Sequence, residues 1–366
     1  MKQILLSILA VFSFMPATTQ NVCTVKGEMG GFDDNTLVYM LRRTGEFTRD
    51  TVMQTVINGG YFSFEVPSSM WHEQYELRFG KERFSVAFFA EEGDVVVKGD
   101  KTNLMNVNAT GTADNDLWNE YKQHCQRLAY AQNKRFGEIR AMNVSDSLKK
   151  AMSAKAFQES QQQQLIIRDS LAKAHPASVA ALYLYYQTLP LLKGEQIKCI
   201  LRMFSDKLAS CRYYKEMKAQ ADLLATLSVG VTAPDFEVVT PEGGKVKLSS
   251  FRGKPLILDF WASWCAPCRK ETVYIKKIYE KYRDKGLQVF SVSLDDKKEA
   301  WVKAIKEDGM PWNHGCQLLK GGKNTPVAKL YGIDGIPAIW VIDANGVILA
   351  EGVREQALVD FCDSLF

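Results

Sequence analysis

Residues 256–271 read LILDFWASWCAPCRKE, and they narrow the fold more than any other part of this chain. The run LILDFWA is apolar except at Asp259 and lacks the alternation of a half-buried strand, so it predicts a strand covered on both faces. It passes into APCRKETVYIKKIYEKYRDK, which has a helical pattern, and then into LQVFSVSL, a second run of the buried type. Two strands separated by a helix in this way must lie parallel, because a parallel pair needs a crossover connection. Further on, KKEAWVKAIKED predicts a helix, PAIWVID and VILAEGV predict a hairpin turned at Asn345 and Gly346, and residues 354–366 predict a closing helix. The hairpin strands must be antiparallel. Residues 229–366 are therefore expected to form an α/β domain with a mixed sheet and flanking helices.

The chain upstream has a different character. Segments such as TLVYMLRR, YELRFG and DVVVKGD over residues 21–113 predict an antiparallel β domain, with hairpin signals at Asn58-Gly59 and, more weakly, Gly93-Asp94. Its aromatic residues Tyr61, Phe62, Phe64, Phe84, Phe88 and Phe89 are expected to pack in the core and across strands rather than line a groove. Residues 114–228 are rich in Ala, Gln, Lys, Leu and Met and predict a helical segment. Asp114 or Asp116 is the expected cap of its first helix, and His175-Pro176 marks a break. The glutamines at 161–164 read as a solvated helix face.

A hydrophobic content of 46% is enough for real cores in two or three domains. The formal charge of +4 comes from interspersed acidic and basic residues, so no basic stripe points to nucleic acid. At the N-terminus, Lys2, an apolar run over 4–15 and then Pro16 have the layout of a secretory signal over residues 1–20, too short to span a bilayer. Cys23 follows, but Gln20, Asn21 and Val22 are not the small residues that precede a lipidated cysteine, so a lipid anchor there is not expected. The expected location is the periplasm or cell envelope, where a Cys-x-x-Cys pair has a different meaning from the same pair in a reducing cytosol.

Cys265 and Cys268 fall where the first buried strand meets its helix. At a helix N-terminus the macrodipole and free N–H groups favour a thiolate, which makes Cys265 a nucleophile, and Cys268 one turn later is within reach to resolve a mixed disulfide. Pro267 suits the first helical turn. A structural zinc site would need two further ligands at matching spacing, and the only nearby candidates by residue type are His314 and Cys316, on another segment. A structural staple is the third reading, although so short a loop restricts the unfolded chain little. The dithiol reading is preferred, with no cofactor and no metal.

The residues compel a comparison at this point. LILDFWASWCAPC resembles the thioredoxin active-site strand and turn, and APDFEVVTPEGGKVKLSSFRGKPLILDFWASWCAPCRKE resembles the TlpA/ResA-like thiol-disulfide oxidoreductases of bacterial envelopes, with their AhpC/TSA-like redoxin domain. The resemblance covers residues 229–366. It implies that Pro337 in DGIPAIW is a cis-proline facing the cysteines and that Ile336 offers backbone contact to a substrate peptide. Asp259, whose burial in an apolar strand should raise its pKa, corresponds to the aspartate beneath the thioredoxin dithiol. Glu271 shares the helix face of Cys268 and corresponds to the ResA-like active-site glutamate. Having both acids departs from the simplest form of either pattern, and the proton shuttle stays unassigned. Trp264 is expected to shield the dithiol and present an apolar docking surface, and Arg269 either adds positive potential near the thiolate or is an exposed helix residue.

The expected function is disulfide exchange with client proteins in the reductive direction, because Ala266-Pro267 resembles the thioredoxin-type intervening pair; an electron donor across the membrane is then implied. The alternatives are a peroxidase of peroxiredoxin type, against which W-C-A-P-C stands in place of a P-x-x-x-T-x-x-C context, and a redox-sensing binding protein; a copper-handling dithiol is more remote for want of histidine ligands. The upstream residues look like an accessory region and are expected to support client docking or homodimer formation. Among the other six cysteines, Cys23, Cys125, Cys199, Cys211, Cys316 and Cys362, a Cys199–Cys211 bridge across a helical hairpin is one expectation and buried thiols are the other.

Overall fold

The structure is a computed structural model that describes residues 22–45 and 48–366; the leader expected over residues 1–20 lies outside them. The chain forms two compact units, one extending to Leu184 and one over Tyr185–Phe366.

The first unit begins with eight strands: β1 (Cys23–Gly30), β2 (Leu37–Arg43), β3 (Arg49–Val56), β4 (Tyr61–Val66), β5 (Glu73–Phe79), β6 (Ser85–Ala90), β7 (Gly93–Asp100) and β8 (Asn108–Thr110). They form two four-stranded sheets, β4-β1-β7-β8 and β3-β2-β5-β6. All their pairs are antiparallel except β1 with β7. Both expected hairpins turn out to be corners between sheets. Asn58 and Tyr61 exchange backbone hydrogen bonds around Gly59 and Gly60, both at positive φ, so the tight turn forms one residue later than Asn58-Gly59 predicts, with Asn58 in its closing pair. Beyond it, however, β3 pairs with β2 and β4 with β1, so the turn carries the chain from one sheet to the other. The chain likewise turns at Glu91 and Glu92, just before Gly93, from β6 to β7, which lie in different sheets. Phe62, Phe64 and Phe88 are buried in the core, and Phe89 is buried against Trp118 and Tyr183, whereas Tyr61 and Phe84 are exposed. The Cys23 side chain sits in the core as well, where an acyl chain could be attached only by opening the sheet.

Three helices follow: α1 (Ala113–Ala141), α2 (Asp146–Ala174) and α3 (Val179–Tyr186). The N-cap position of α1 is Thr112, not Asp114 or Asp116. Asp114 is buried and turned towards α3, accepting from the Ser178 hydroxyl and from the N–H groups of Ala180 at 3.1 Å and Val179 at 3.3 Å. It therefore caps a helix more than sixty residues further on, a long-range use of an acid that local spacing cannot reveal.

The second unit adds α4 (Gly194–Leu201), α5 (Arg212–Ala225), β9 (Glu237–Val239), β10 (Lys245–Lys247), β11 (Leu256–Trp261), α6 (Ala266–Tyr282), β12 (Gln288–Ser293), α7 (Lys298–Glu307), β13 (Asn313–Cys316), α8 (Pro326–Leu330), β14 (Ala338–Ile342), β15 (Ile348–Glu351) and α9 (Glu355–Leu365). Its seven-stranded mixed sheet has the order β10-β9-β13-β12-β11-β14-β15. β11 runs parallel to β12, as the crossover requires, and β14 runs antiparallel to β15, as the closing hairpin requires; β11 also pairs antiparallel with β14. Side chains alternate across a strand. Ile257 and Trp261 pack with α6, α7 and α9 on one face, while Leu256, Leu258 and Phe260 pack with α8 and Tyr331 on the other. Asp259 has the parity of Ile257 and Trp261, so the polar residue of this strand lies on the face that α6 covers.

Candidate redox site

Cys265 is the N-cap of α6, and its Sγ accepts the N–H of Cys268 at 3.2 Å. Pro267 stands in the first turn, where its missing N–H leaves no gap in the helix. Cys265 and Cys268 are joined as a disulfide, with Cα atoms 5.3 Å apart. When the bond is reduced, the same N–H and the helix dipole favour a thiolate on Cys265. From the opposite side, the Ile336 carbonyl oxygen lies 3.7 Å from Cys265 Sγ, and the Ile336–Pro337 peptide bond is cis. Both sulfurs are largely sheltered, Cys265 being 5% and Cys268 2% exposed, whereas the adjacent Trp264 is 65% exposed. Trp264, Cys265, Pro267, Leu294, Ile333 and Ile336, together with Asp334, line an open cleft of about 530 Å³. The sequence anticipated Trp264 and Ile336 here; Leu294 and Ile333 come from loops after β12 and α8.

The acids lie below this surface. Asp259 is 3% exposed and stands opposite Ser291 in the β11–β12 register; Ser291 Oγ donates to Asp259 Oδ2 at 2.9 Å, and Trp312 Nε1 donates to Ser291 Oγ at 2.9 Å. Burial pushes the Asp259 carboxyl up to about 7; the Ser291 bond opposes this and the nearby charge of Glu271 adds to it. Glu271 is also buried, and its Oε1 accepts the N–H of Glu355 at 2.6 Å, at the start of α9. Burial raises its pKa too, while the Glu355 N–H and Arg354 pull the other way. The structure thus brings Asp259 and Glu271 within electrostatic reach of one another on the α6 side of the sheet.

Arg269 does not face the dithiol. It makes paired hydrogen bonds to Asp308 at 2.8 and 2.6 Å and a third to Glu307 at 3.1 Å, which clamps α6 to the end of α7. The expected bridge between Cys199 and Cys211 is not formed, for Cys199 is exposed on α4 while Cys211 is buried at the start of α5. Among the described residues no group of three or more His, Cys, Asp or Glu is placed to hold a metal ion. Burial pushes His314 down to about 4, so its ring is neutral, with Nε2 3.2 Å from the Met310 carbonyl oxygen.

Sequence reasoning missed a polar stripe on β12 and the loop after it. Ser291, Ser293 and Asp295 alternate, and all are buried. Asp295 accepts from Ser263 N at 2.9 Å, Ser263 Oγ at 2.6 Å and Ser293 Oγ at 2.5 Å, which fixes the turn immediately before Trp264 and Cys265. The signal was present, since polar residues at period two inside the apolar run VFSVSLDD mark one face of a strand.

A mixed sheet with helices on both faces, and a paired Cys-x-x-Cys at the start of the helix following a central strand, define a thioredoxin-like redox domain. Comparison with known proteins agrees. Residues 229–351 match the AhpC/TSA family, and residues 23–118 match a domain of unknown function, DUF4369. The chain is 33% identical over 130 residues to the thiol-disulfide oxidoreductase ResA of Bacillus thuringiensis subsp. konkukian, covering 36% of this chain and 72% of that protein. It is 30% identical over 122 residues to ResA of Geobacillus thermodenitrificans, covering 33% and 67%. Among solved structures it resembles the thioredoxin domain of a thiol-disulfide oxidoreductase from Bacteroides vulgatus, at 36% identity over 38% of this chain and 97% of that one, with a TM-score of 0.36. The chain belongs to the thiol-disulfide oxidoreductases of the AhpC/TSA, thioredoxin-like family.

Proposed function

We propose that the protein is an envelope reductase that exchanges disulfides with client proteins through Cys265 and Cys268. The observation that carries this reading is the placement of Cys265 as the N-cap of α6, bonded to Cys268 and opening onto an apolar cleft. In the reduced protein the Cys265 thiolate attacks one sulfur of a client disulfide; a Cys265–client bond forms and the client's second sulfur leaves as a thiolate. Cys268 then gives up its proton and attacks Cys265 Sγ, which breaks the bond to the client and closes the Cys265–Cys268 disulfide. Two electrons pass from the protein to the client, and a donor of dithiol type restores the pair.

In this reading Asp259 takes the Cys268 proton, since a buried carboxyl lifted towards neutrality can hold and release one at working pH. Glu271 sets the charge that Asp259 experiences and anchors α9. Trp264 and the Ile336 carbonyl meet the client, and Pro337 shapes that loop. Secretion through residues 1–20 supports an oxidising compartment, and no described helix is long and apolar enough to cross a membrane. The upstream region, residues 21–228, serves client docking or self-association. Cys268→Ser tests the exchange: the variant should accumulate a mixed disulfide through Cys265 that reductant releases. A Cys268→Ser protein that accumulates none while wild type still reduces the same client contradicts the reading.

A further inference from the structure

Asp259 is held by a hydrogen-bond chain whose direction is set by its chemistry. An indole N–H donates and cannot accept, so Trp312 Nε1 must occupy a lone pair of Ser291 Oγ, 2.9 Å away. The hydroxyl has one proton, and it is left pointing at Asp259 Oδ2, also at 2.9 Å. Ser291 is fully buried and Trp312 nearly so, with the Trp312 ring stacked 6.1 Å from that of His314. Rotation of the serine away from the carboxylate would strand a buried acceptor, which gives the arrangement one sense.

We infer that Ser291, oriented by Trp312, is a positioning residue for disulfide exchange: it commits Asp259 Oδ2 to accepting and directs the Cys268 proton to the other carboxylate oxygen. The inference rests on Asp259 being the proton acceptor. In the resolving step Cys268 transfers its proton to Asp259 Oδ1 and its sulfur electron pair to Cys265 Sγ, the bond from Cys265 to the client breaks, and the client leaves as a thiolate. Donation from Ser291 stabilises the ionised carboxylate against the burial that opposes it, which keeps Asp259 usable as a base. The other groups around Asp259 leave this task to Ser291. Glu271 from α6 adds a charge that works against ionisation. β14 sets apolar Ile339 opposite Asp259, and from β13 His314 stays neutral above about pH 4.

The test is the pH profile, from 5 to 9, of mixed-disulfide resolution in the full-length protein. The reduced protein is mixed with oxidised glutathione, quenched in acid, and the Cys265–glutathione adduct is followed by mass. Ser291→Ala should move the acid limb to higher pH by about one unit, slowing resolution about tenfold on that limb while sparing the alkaline plateau. Trp312→Phe should move it the same way by less. In an Asp259→Asn background, where the limb itself should be lost, Ser291→Ala should change nothing further. A limb abolished by Asp259→Asn but unmoved by Ser291→Ala overturns the inference and leaves the reading of Asp259 standing. A limb that survives Asp259→Asn overturns both. A loss for Ser291→Ala that is equal at every pH assigns the serine a merely structural role and overturns the inference.

Discussion

Asp259→Asn should stabilise the second unit, and by an amount that grows with pH. The wild-type carboxyl is lifted by burial from its ordinary 3.8 to about 7, so the folded protein holds this proton more tightly than the unfolded chain does. Linkage then fixes the sign. Stability from a raised carboxyl pKa is fully present below the unfolded value and is lost as pH rises towards the folded one. A displacement of roughly three units at 1.36 kcal/mol per unit gives a cost of about 4 kcal/mol by pH 8, shrinking to under about 1 kcal/mol at pH 4. Asparagine removes the charge, and its amide oxygen still accepts from Ser291. Hydrogen exchange of peptides spanning β11 and β12, compared between variant and wild type at matched pH, reads the difference where it arises. The variant should be slightly more protected at pH 4 and strongly more protected at pH 8. A difference that does not depend on pH, or a variant less stable at pH 8, refutes the burial argument.

Other outcomes follow from contacts around the site. Arg269→Ala should cost stability by about 1 kcal/mol or less, because its partly exposed pairs with Asp308 and Glu307 are lost, while the reactivity of Cys265 towards an alkylating agent should not change. Trp264→Ala should alter thermal stability by about 0.5 kcal/mol at most, since the ring is largely exposed, yet weaken capture of a client peptide in the Cys268→Ser background. Ser263→Ala removes one of the hydrogen bonds that Asp295 uses to hold the turn before Trp264 and should slow the attack of Cys265 on a model disulfide severalfold; an unchanged rate would mean that the backbone N–H of Ser263 suffices.

Much of the second unit was legible because its signals are local. The apolar run at β11, the helix after it and the Asn345-Gly346 turn each carry their own period or turn chemistry, and pairing rules assemble them into a mixed sheet. The cysteines were legible for the same reason, as strand end and helix start lie adjacent in sequence. What escaped depends on contacts distant in sequence. Arg269 reads as an electrostatic aid or an exposed helix residue until Asp308 is brought beside it, and Asp114 reads as the cap of its own helix until α3 folds back onto it. Ser291 and Asp295 drew no notice because serine in a strand is ordinary until its register opposite Asp259, or beside the turn at Ser263, is known. The two corners near Gly59 and Gly93 show the same limit: the turn is encoded locally, but which sheet receives the next strand is decided by packing.

The central claim is a reducing dithiol at Cys265 and Cys268, and the most direct measurement is its reduction potential. The purified protein is equilibrated in thiol buffers of graded potential, and alkylation at these two positions is counted by mass. The account predicts a value near that of thioredoxin, roughly −270 mV, low enough to reduce clients when a donor supplies electrons. A value of roughly −120 to −180 mV would make the pair an oxidant or isomerase and contradict the reductive direction.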